Sequence, residues 1–297
     1  MVKPTLKGCE AKLWWAEQHL KILDRSIRDH FKAHPYEIIT EQGNDAREYR
    51  FRVSGLVDVN PSWSNMIGDT LYSLRSCLDN LVYQLAILRL GRDLMDAEAE
   101  SCAFPVCSDP QRFPENRVKL LRPGEQTRIR ELQPFNAWDA SIWGKWPGIP
   151  ATLPDALARL HAFENVDEHR HPHPVWWRGI TDAEEPPIMA VTVRETRPLK
   201  DNAEIGHWRL DADAKLRPNM DMKPYFPLGI GFGEAAMPND AVTELDTLTR
   251  AVSAVLMIFR PCIHGEPAMP LSSWGDFLDH DLNDIMSALM EGPFDTD

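Results

Sequence analysis

The stretch NPSWSNMIGDTLYSLRSCLDNLVYQLAILRLG, residues 60–91, decides the fold, because it predicts one long helix with a boundary residue at each end. Asn60 is a favourable N-cap, Pro61 suits the first helical position, and Gly91 suits the position just after the last turn. Apolar residues recur between them at steps of three and four: Ile67, Leu71, Leu74, Leu78, Leu81, Leu85 and Leu88. A helix over residues 61–90 would be roughly 45 Å long. The stripe is typical of a coiled-coil seam or of a core helix in a bundle. We favour the bundle, because no second heptad helix of comparable regularity is present.

Helices and strand-like runs surround this helix without the strand–helix–strand alternation of a parallel sheet. Apolar spacing predicts helices over residues 5–33, 123–132, 153–166 and 240–259, the last ended by Pro261. Apolar and polar residues alternate through Tyr49, Phe51 and Val53, which predicts a β-hairpin within residues 36–59. Further strands are predicted over residues 188–196, 204–213 and 225–232. We therefore predict an α+β fold, a helical core with a long central helix packed with a mostly antiparallel β-sheet.

Domain organisation follows from the charge distribution. The 297 residues carry 32 Lys and Arg against 45 Asp and Glu, a net charge of −13. Residues 1–150 contain 20 residues of each sign, so the whole imbalance lies in the second half. From Glu266 to the end there are eight acidic residues and no Lys or Arg. We predict a single domain over residues 1–265, followed by an acidic C-terminal segment over residues 266–297.

The same charge limits the partners. A strongly negative surface repels phosphate, so DNA binding is not expected and RNA is the one nucleic acid left open. Residues 112–130 carry six basic and two acidic side chains, and this stretch predicts a solvated face rather than a nucleic-acid groove. Within the acidic segment, residues 274–290 predict an amphipathic helix with Leu278, Leu282, Ile285 and Leu289 on one face. Because such a helix is marginal alone, we expect it to dock on the protein's own body, on a second copy or on a protein partner.

The first residues and the cysteines indicate a cytoplasmic protein without a membrane partner. The N-terminus has no apolar core of a signal peptide, and the longest apolar run, near residues 251–259, is far shorter than the ~20 residues of a membrane span. The five cysteines have neither disulfide-scaffold nor metal-site spacing. They are Cys9, Cys77, Cys102, Cys107 and Cys262. No cofactor is predicted.

Three histidines alternate in the sequence DEHRHPH, residues 167–173. On an extended segment they would project to one side, and imidazole is a common zinc ligand. Prolines and Arg170 fit a surface loop equally well, and no further Cys or His pair has zinc-site spacing. We therefore expect no metal site, with His169, His171 and His173 as weak candidate ligands.

Charged residues flank the leucine stripe of the long helix, and a charge at the edge of a core needs a partner. The helix over residues 153–166 would deliver His169 and Arg170 just past its last turn, where the helix dipole favours cations. Pairing of Asp69 or Asp79 with either would satisfy both helices. The predicted polar network comprises Asp69, Arg75, Asp79, Asp167, His169 and Arg170. If it is a site, the catalytic candidates are Arg75, Asp79, His169 and Arg170.

Several of these motifs together resemble a widespread uncharacterised bacterial family. The long helix contains GDxLxxLRSxLDxL, residues 68–81, the signature helix of that family. The family also has a Phe-Pro pair, a Gln-Pro-aromatic turn and a later Asp-x-His-Arg. The matching positions here are Phe104-Pro105, Gln133-Pro134-Phe135 and Asp167-Glu168-His169-Arg170. The resemblance covers about residues 5–260 and implies no established activity.

A more distant likeness concerns the HEPN superfamily of helical nucleases, whose motif is an Arg followed after four to six residues by a His. Arg75 matches the Arg of this motif, and the position five residues later is Asn80. An asparagine cannot act as a general acid or base near neutral pH. The preferred hypothesis is a cytosolic bacterial protein with a non-catalytic binding or assembly role. The alternatives are a HEPN-like ribonuclease and a small-molecule enzyme that uses the region of His169 and Arg170.

Overall fold

A computed structural model describes residues 2–45, 47–143, 152–169, 174–178, 188–192, 200–210, 228–232 and 240–265. The predicted C-terminal amphipathic helix, residues 274–290, lies outside these residues, as do Arg170, His171 and His173. His169 and Asp167 belong to a described helix, but their side chains are not described.

The described helices confirm the helical core predicted from apolar spacing. They are α1 (Lys7–Ala33), α2 (Ser62–Leu90), α3 (Asp96–Ser101), α4 (Pro123–Glu131), α5 (Ala140–Trp143), α6 (Leu153–His169) and α7 (Ala241–His264). The long helix α2 begins as predicted: the Asn60 side chain accepts the Ser62 N–H at 3.0 Å. It ends at Gly91, which has a φ of 68° and whose N–H donates to the Ile87 carbonyl.

All pairings between described strands are antiparallel, so the fold is α+β as predicted. The strands are β1 (Glu37–Gln42), β2 (Glu48–Ser54), β3 (Pro174–Arg178), β4 (Ile188–Thr192), β5 (Glu204–Leu210) and β6 (Leu228–Phe232). One sheet has the order β1-β2-β5-β4, and β3 pairs with β6 in a second. The β1–β2 hairpin was predicted, whereas β3 was not, because its short apolar run follows the histidine-rich loop.

The chain divides into two compact units. Unit 1 comprises Met1–His19, Gly68–Arg170 and Leu245–Asp297, and unit 2 comprises Leu20–Ile67 and His171–Glu244. Both α1 and α2 are therefore shared between the units. The single domain predicted for residues 1–265 stays a prediction.

Unit 1 has a helical core. The leucine stripe of α2 is buried as its spacing predicts, through Leu71, Leu74, Leu78, Leu81 and Leu85. Helix α6 buries Leu157, Leu160 and Phe163, which confirms its predicted apolar side. Every residue of α7 from Ala251 to Leu256 is buried, so this helix is enclosed on all sides. No helix among the described residues is long and apolar enough to span a membrane.

Unit 2 contains the strands of both sheets, and a small core of Phe51, Val53 and Ile205 lies at the four-stranded sheet. The inward side chains of β2 alternate with Arg50 and Arg52 on its other face, as the period-2 pattern predicts. Trp63, fully buried, donates its indole N–H to the Ser26 hydroxyl at 2.8 Å. This bond joins the second half of α1 to the first turn of α2.

One predicted helix boundary was wrong. Helix α7 continues through Pro261 to His264 instead of ending before the proline. A proline removes its own N–H and no other donor, so a final turn can continue past it when later donors are satisfied. The N–H of Gly265 donates to the Pro261 carbonyl at 3.0 Å, and Gly265 has a φ of 69°. The left-handed glycine, rather than the proline, ends the helix.

Candidate functional site

The polar flank of α2 carries an ion pair within unit 1. Arg75 and Asp79 lie one turn apart, and the distance from Arg75 Nη2 to Asp79 Oδ1 is 3.1 Å. The Arg75 side chain is 15% exposed and that of Asp79 is 34% exposed. Both residues lie where the sequence predicted them, at the border of the buried leucine stripe.

The Phe104–Pro105 segment attaches to this pair through its main chain. Arg75 Nη2 donates to the Phe104 carbonyl at 2.8 Å, and the Phe104 N–H donates to Asp79 Oδ1 at 2.7 Å. A residue that precedes a proline is held in an extended conformation, which leaves both of its peptide groups available for such bonds. The Phe104 ring is fully buried. The Phe-Pro pair is therefore a docking point for the chain that follows α3.

Helix α6 supplies the third charged group. The distance from Arg75 Nε to Glu164 Oε2 is 3.6 Å, and the Glu164 side chain is 17% exposed. His161, one turn earlier and 45% exposed, places Nδ1 at 3.8 Å from the same oxygen. The Arg75 guanidinium thus contacts two carboxylates and one carbonyl, on three different segments. We call Arg75, Asp79, Glu164 and the Phe104 peptide groups the Arg75 network.

The electrostatics of the Arg75 network leave an excess of negative charge. Burial raises the pKa of Asp79 above its usual value, and the nearby Glu164 carboxylate adds to the rise. The Arg75 cation, the Phe104 N–H and the more distant Arg117 act in the opposite direction. Asp79 therefore binds a proton more readily in the folded protein than in the unfolded chain, chiefly because its carboxylate is buried.

The remaining predicted members of the polar network are placed differently. Asp69 is exposed, and it has neither an ion pair nor a side-chain hydrogen bond among the described residues. The side chains of Asp167 and His169 are not described, and Arg170 lies outside the described residues. The predicted contact of Arg75 or Asp79 with residues 167–170 stays a prediction. Helices α2 and α6 do meet at Arg75, but through Glu164.

Sequence reasoning missed Glu164 and the peptide groups of Phe104. Glu164 directly follows the buried Phe163 in α6, so its position at the edge of the buried face was a usable signal. Hydrogen bonds to a main chain leave no trace in side-chain identity, so the Phe104 contacts had no such signal.

The Gln-Pro-aromatic turn is also a fixed structural element. The Gln133 side chain is fully buried, accepts the Cys107 N–H at 3.0 Å and donates to the Ile129 carbonyl at 2.9 Å. It joins the end of α4 to the loop that follows Phe104. This role requires an amide with one donor and one acceptor, which explains a glutamine here.

Thiol and metal chemistry have little support in the part of the chain that the structure describes. Cys9 and Cys77 are fully buried side by side, and their hydrogen bond, together with burial, raises the pKa of the Cys77 thiol. A raised thiol pKa disfavours the nucleophilic thiolate. No group of three or more His, Cys, Asp or Glu in the described ranges could hold a metal ion.

Comparison with protein-family models, with curated proteins and with solved structures gives no match to this chain.

Proposed function

We propose that this protein is a non-catalytic binding or assembly protein of the bacterial cytoplasm, in which the Arg75 network holds three segments of unit 1 together. One observation carries the proposal: the Arg75 guanidinium is mostly buried, and its contacts are a carbonyl and two carboxylates of the same chain. A cation enclosed by internal acceptors is suited to fixing a fold. The five cysteines, all described and all free thiols, support a reducing compartment.

The charge of the network supports this proposal over phosphate chemistry. A ribonuclease needs a cation that is open to the phosphate and a group that transfers a proton. A phosphate at Arg75 would have to compete with Asp79 and Glu164, which already surround the guanidinium. Asn80, at the position of the motif histidine, cannot transfer a proton.

A second candidate function, a HEPN-like ribonuclease, is favoured by one contact. His161 places an imidazole beside Glu164 at 3.8 Å, on the same side of unit 1 as Arg75. An imidazole from another helix would replace the histidine that the long helix lacks. The third candidate, an enzyme using His169 and Arg170, has no described side chain to support it.

RNA cleavage separates the first two functions. We would incubate the full-length protein with structured RNA, with and without divalent cations, beside the variants Arg75→Ala and His161→Ala. Arg92→Ala is the matched control, because Arg92 pairs with Glu98 on the surface at 2.8 Å. We expect no cleavage above the buffer rate from any of these proteins.

Cleavage that is lost in both Arg75→Ala and His161→Ala but kept in Arg92→Ala would overturn the proposed function. The binding or assembly role itself is tested by sedimentation of the full-length protein over a range of concentrations. We expect the sedimentation coefficient to rise with concentration, or on addition of a partner.

A further inference from the structure

Two large aromatic side chains of unit 1 are exposed on neighbouring helices. Trp15 of α1 is 52% exposed, and Tyr72 of α2 is 62% exposed. Both helices bury their other faces in the core, so these two rings are the part of the helix pair that the fold does not use. A single exposed apolar residue is ordinary, whereas aromatic residues grouped on one surface are typical of a protein interface.

Two contacts give the relative direction of α1 and α2 within unit 1. The Thr5 N–H, just before α1, donates to Gln84 Oε1 of α2 at 2.9 Å. The Lys12 ammonium lies 5.2 Å from the centre of the Tyr72 ring. Because residue numbers rise along α1 while those of the contacted residues fall along α2, the two helices are antiparallel.

Charges of opposite sign lie on either side of the two rings. On α1, Trp15 lies one turn after Lys12, and on α2, Asp69 lies one turn before Tyr72. In antiparallel helices the order along the pair is therefore Lys12, the two aromatic residues, and Asp69. Neither charged group has an ion pair among the described residues, and Asp69 is exposed. We call Lys12, Trp15, Asp69 and Tyr72 the aromatic patch.

The Trp15 ring is held in place by its own helix. It packs edge to face with the Trp14 ring, with the centroids 4.8 Å apart and the planes at 76°. The His19 ring, one turn later, lies 5.9 Å from it. A side chain that is already ordered loses little conformational entropy when it enters an interface, so the exposed half of this ring is well suited to binding.

We propose that the aromatic patch binds the same patch of a second copy of this chain, about a two-fold axis perpendicular to the helices. A two-fold contact requires a self-complementary surface. Reversing the patch brings Lys12 of one protomer to Asp69 of its partner, and the reverse, with the four rings between them. The inference rests on the proposed binding or assembly role, for which it names the partner.

The charges of the patch favour a second copy over a nucleic acid. Bases that stacked on the two rings would bring phosphates close to the Asp69 carboxylate, in a protein whose net charge is already −13. The same carboxylate is an advantage in the two-fold contact, because it meets the Lys12 ammonium of the other protomer.

Sedimentation equilibrium of the full-length protein tests the contact. About 150 mM salt is needed, because it screens the repulsion between two negative copies beyond about 8 Å. The contact is small, so we expect a dissociation constant of about 10 to 100 µM. Trp15→Ala should raise it at least about tenfold. Trp138→Ala, at a residue that is 98% exposed, is the matched control and should leave it unchanged. Circular dichroism checks that each variant is folded.

Two charge variants show whether the pairing joins different chains. Lys12→Glu alone, or Asp69→Lys alone, places like charges opposite each other in the dimer, and each should raise the dissociation constant about tenfold. An equimolar mixture of the two variants restores both opposite-charge pairs and should associate as tightly as the wild type. Mixing could not restore an interaction made within one chain.

Three outcomes would overturn the inference. The first is a wild-type protein that stays monomeric at about 200 µM, above the expected dissociation constant. The second is association that Trp15→Ala leaves at the wild-type level, which would assign it to another surface. The third is a mixture of the two charge variants that associates no better than each alone. None of these overturns the proposed function, which the RNA cleavage experiment tests separately.

Discussion

The Arg75 network and Arg122, the residue that precedes α4, place positive charge in unit 1 in opposite ways. At Arg75, one guanidinium is surrounded by two carboxylates and a carbonyl, and the group is 15% exposed. Arg122 is exposed, its guanidinium donates to the Leu88 carbonyl at 3.0 Å, and it has no ion pair at contact distance among the described residues. The Arg75 guanidinium is enclosed by its partners, whereas the Arg122 side chain is exposed to solvent.

This difference teaches how to separate structural from functional arginines in a chain without a recognisable motif. A buried ion network costs desolvation free energy, and breaking it leaves an uncompensated charge, so its loss is seen in stability. An exposed cation costs little to keep, so its loss is seen in binding and in salt dependence. Each prediction below changes one side of this comparison.

The largest effect is expected from Arg75→Ala. Removing the guanidinium leaves Asp79 and Glu164 without their cation in a mostly buried position, which should lower the free energy of unfolding by about 3 kcal/mol. Urea denaturation followed by circular dichroism measures this change, with Arg92→Ala as the exposed control. A loss below that of Arg92→Ala would show that the Arg75 network contributes no stability.

A smaller effect is expected from Glu164→Gln. The amide keeps the shape of the side chain, and Arg75 retains Asp79 and the Phe104 carbonyl, so the loss should be about 1 kcal/mol. In the double variant with Arg75→Ala the two losses should not add, because both residues act in one network. Additive losses in this double-mutant cycle would contradict the direct contact between α2 and α6.

The pH dependence of the free energy of unfolding, compared between the wild type and Asp79→Asn, tests whether the pKa of Asp79 is raised in the folded protein. Because the pKa of Asp79 is raised in the folded protein, the native state binds a proton more readily than the unfolded chain. Stability conferred through this group therefore increases as the pH falls toward about 4 and decreases as the pH rises. Relative to Asp79→Asn, the wild type should gain stability between about pH 7 and about pH 4. The opposite trend would mean that the pairing with Arg75 outweighs burial.

The smallest change in stability is expected from Arg122→Ala. Its guanidinium is exposed and bonds one carbonyl, so the free energy of unfolding should change by about 0.5 kcal/mol or less. A large loss of stability would make Arg122 a structural residue like Arg75 and would remove the contrast between the two regions.

The sequence alone determined the long helix, the hairpin and their buried faces. The steps of three and four in α2 predicted both its length and its stripe, from Leu71 to Leu85, because helical geometry brings those positions to one side. Alternation in β2 predicted the inward side chains of Phe51 and Val53 for the same kind of reason. Asn60 and Gly91 marked the ends of α2, since capping depends on the residue and its immediate neighbours.

Only the tertiary structure decided which charges meet. Arg75 and Asp79 were recognisable as candidates because they lie one turn apart, but Glu164 is 89 residues beyond Arg75 and could be one of many acidic residues. The Phe104 peptide groups carry no side-chain signature. Local spacing fixes which face a residue occupies. The partner on that face is fixed by segments far apart in the chain, whose packing no short pattern encodes.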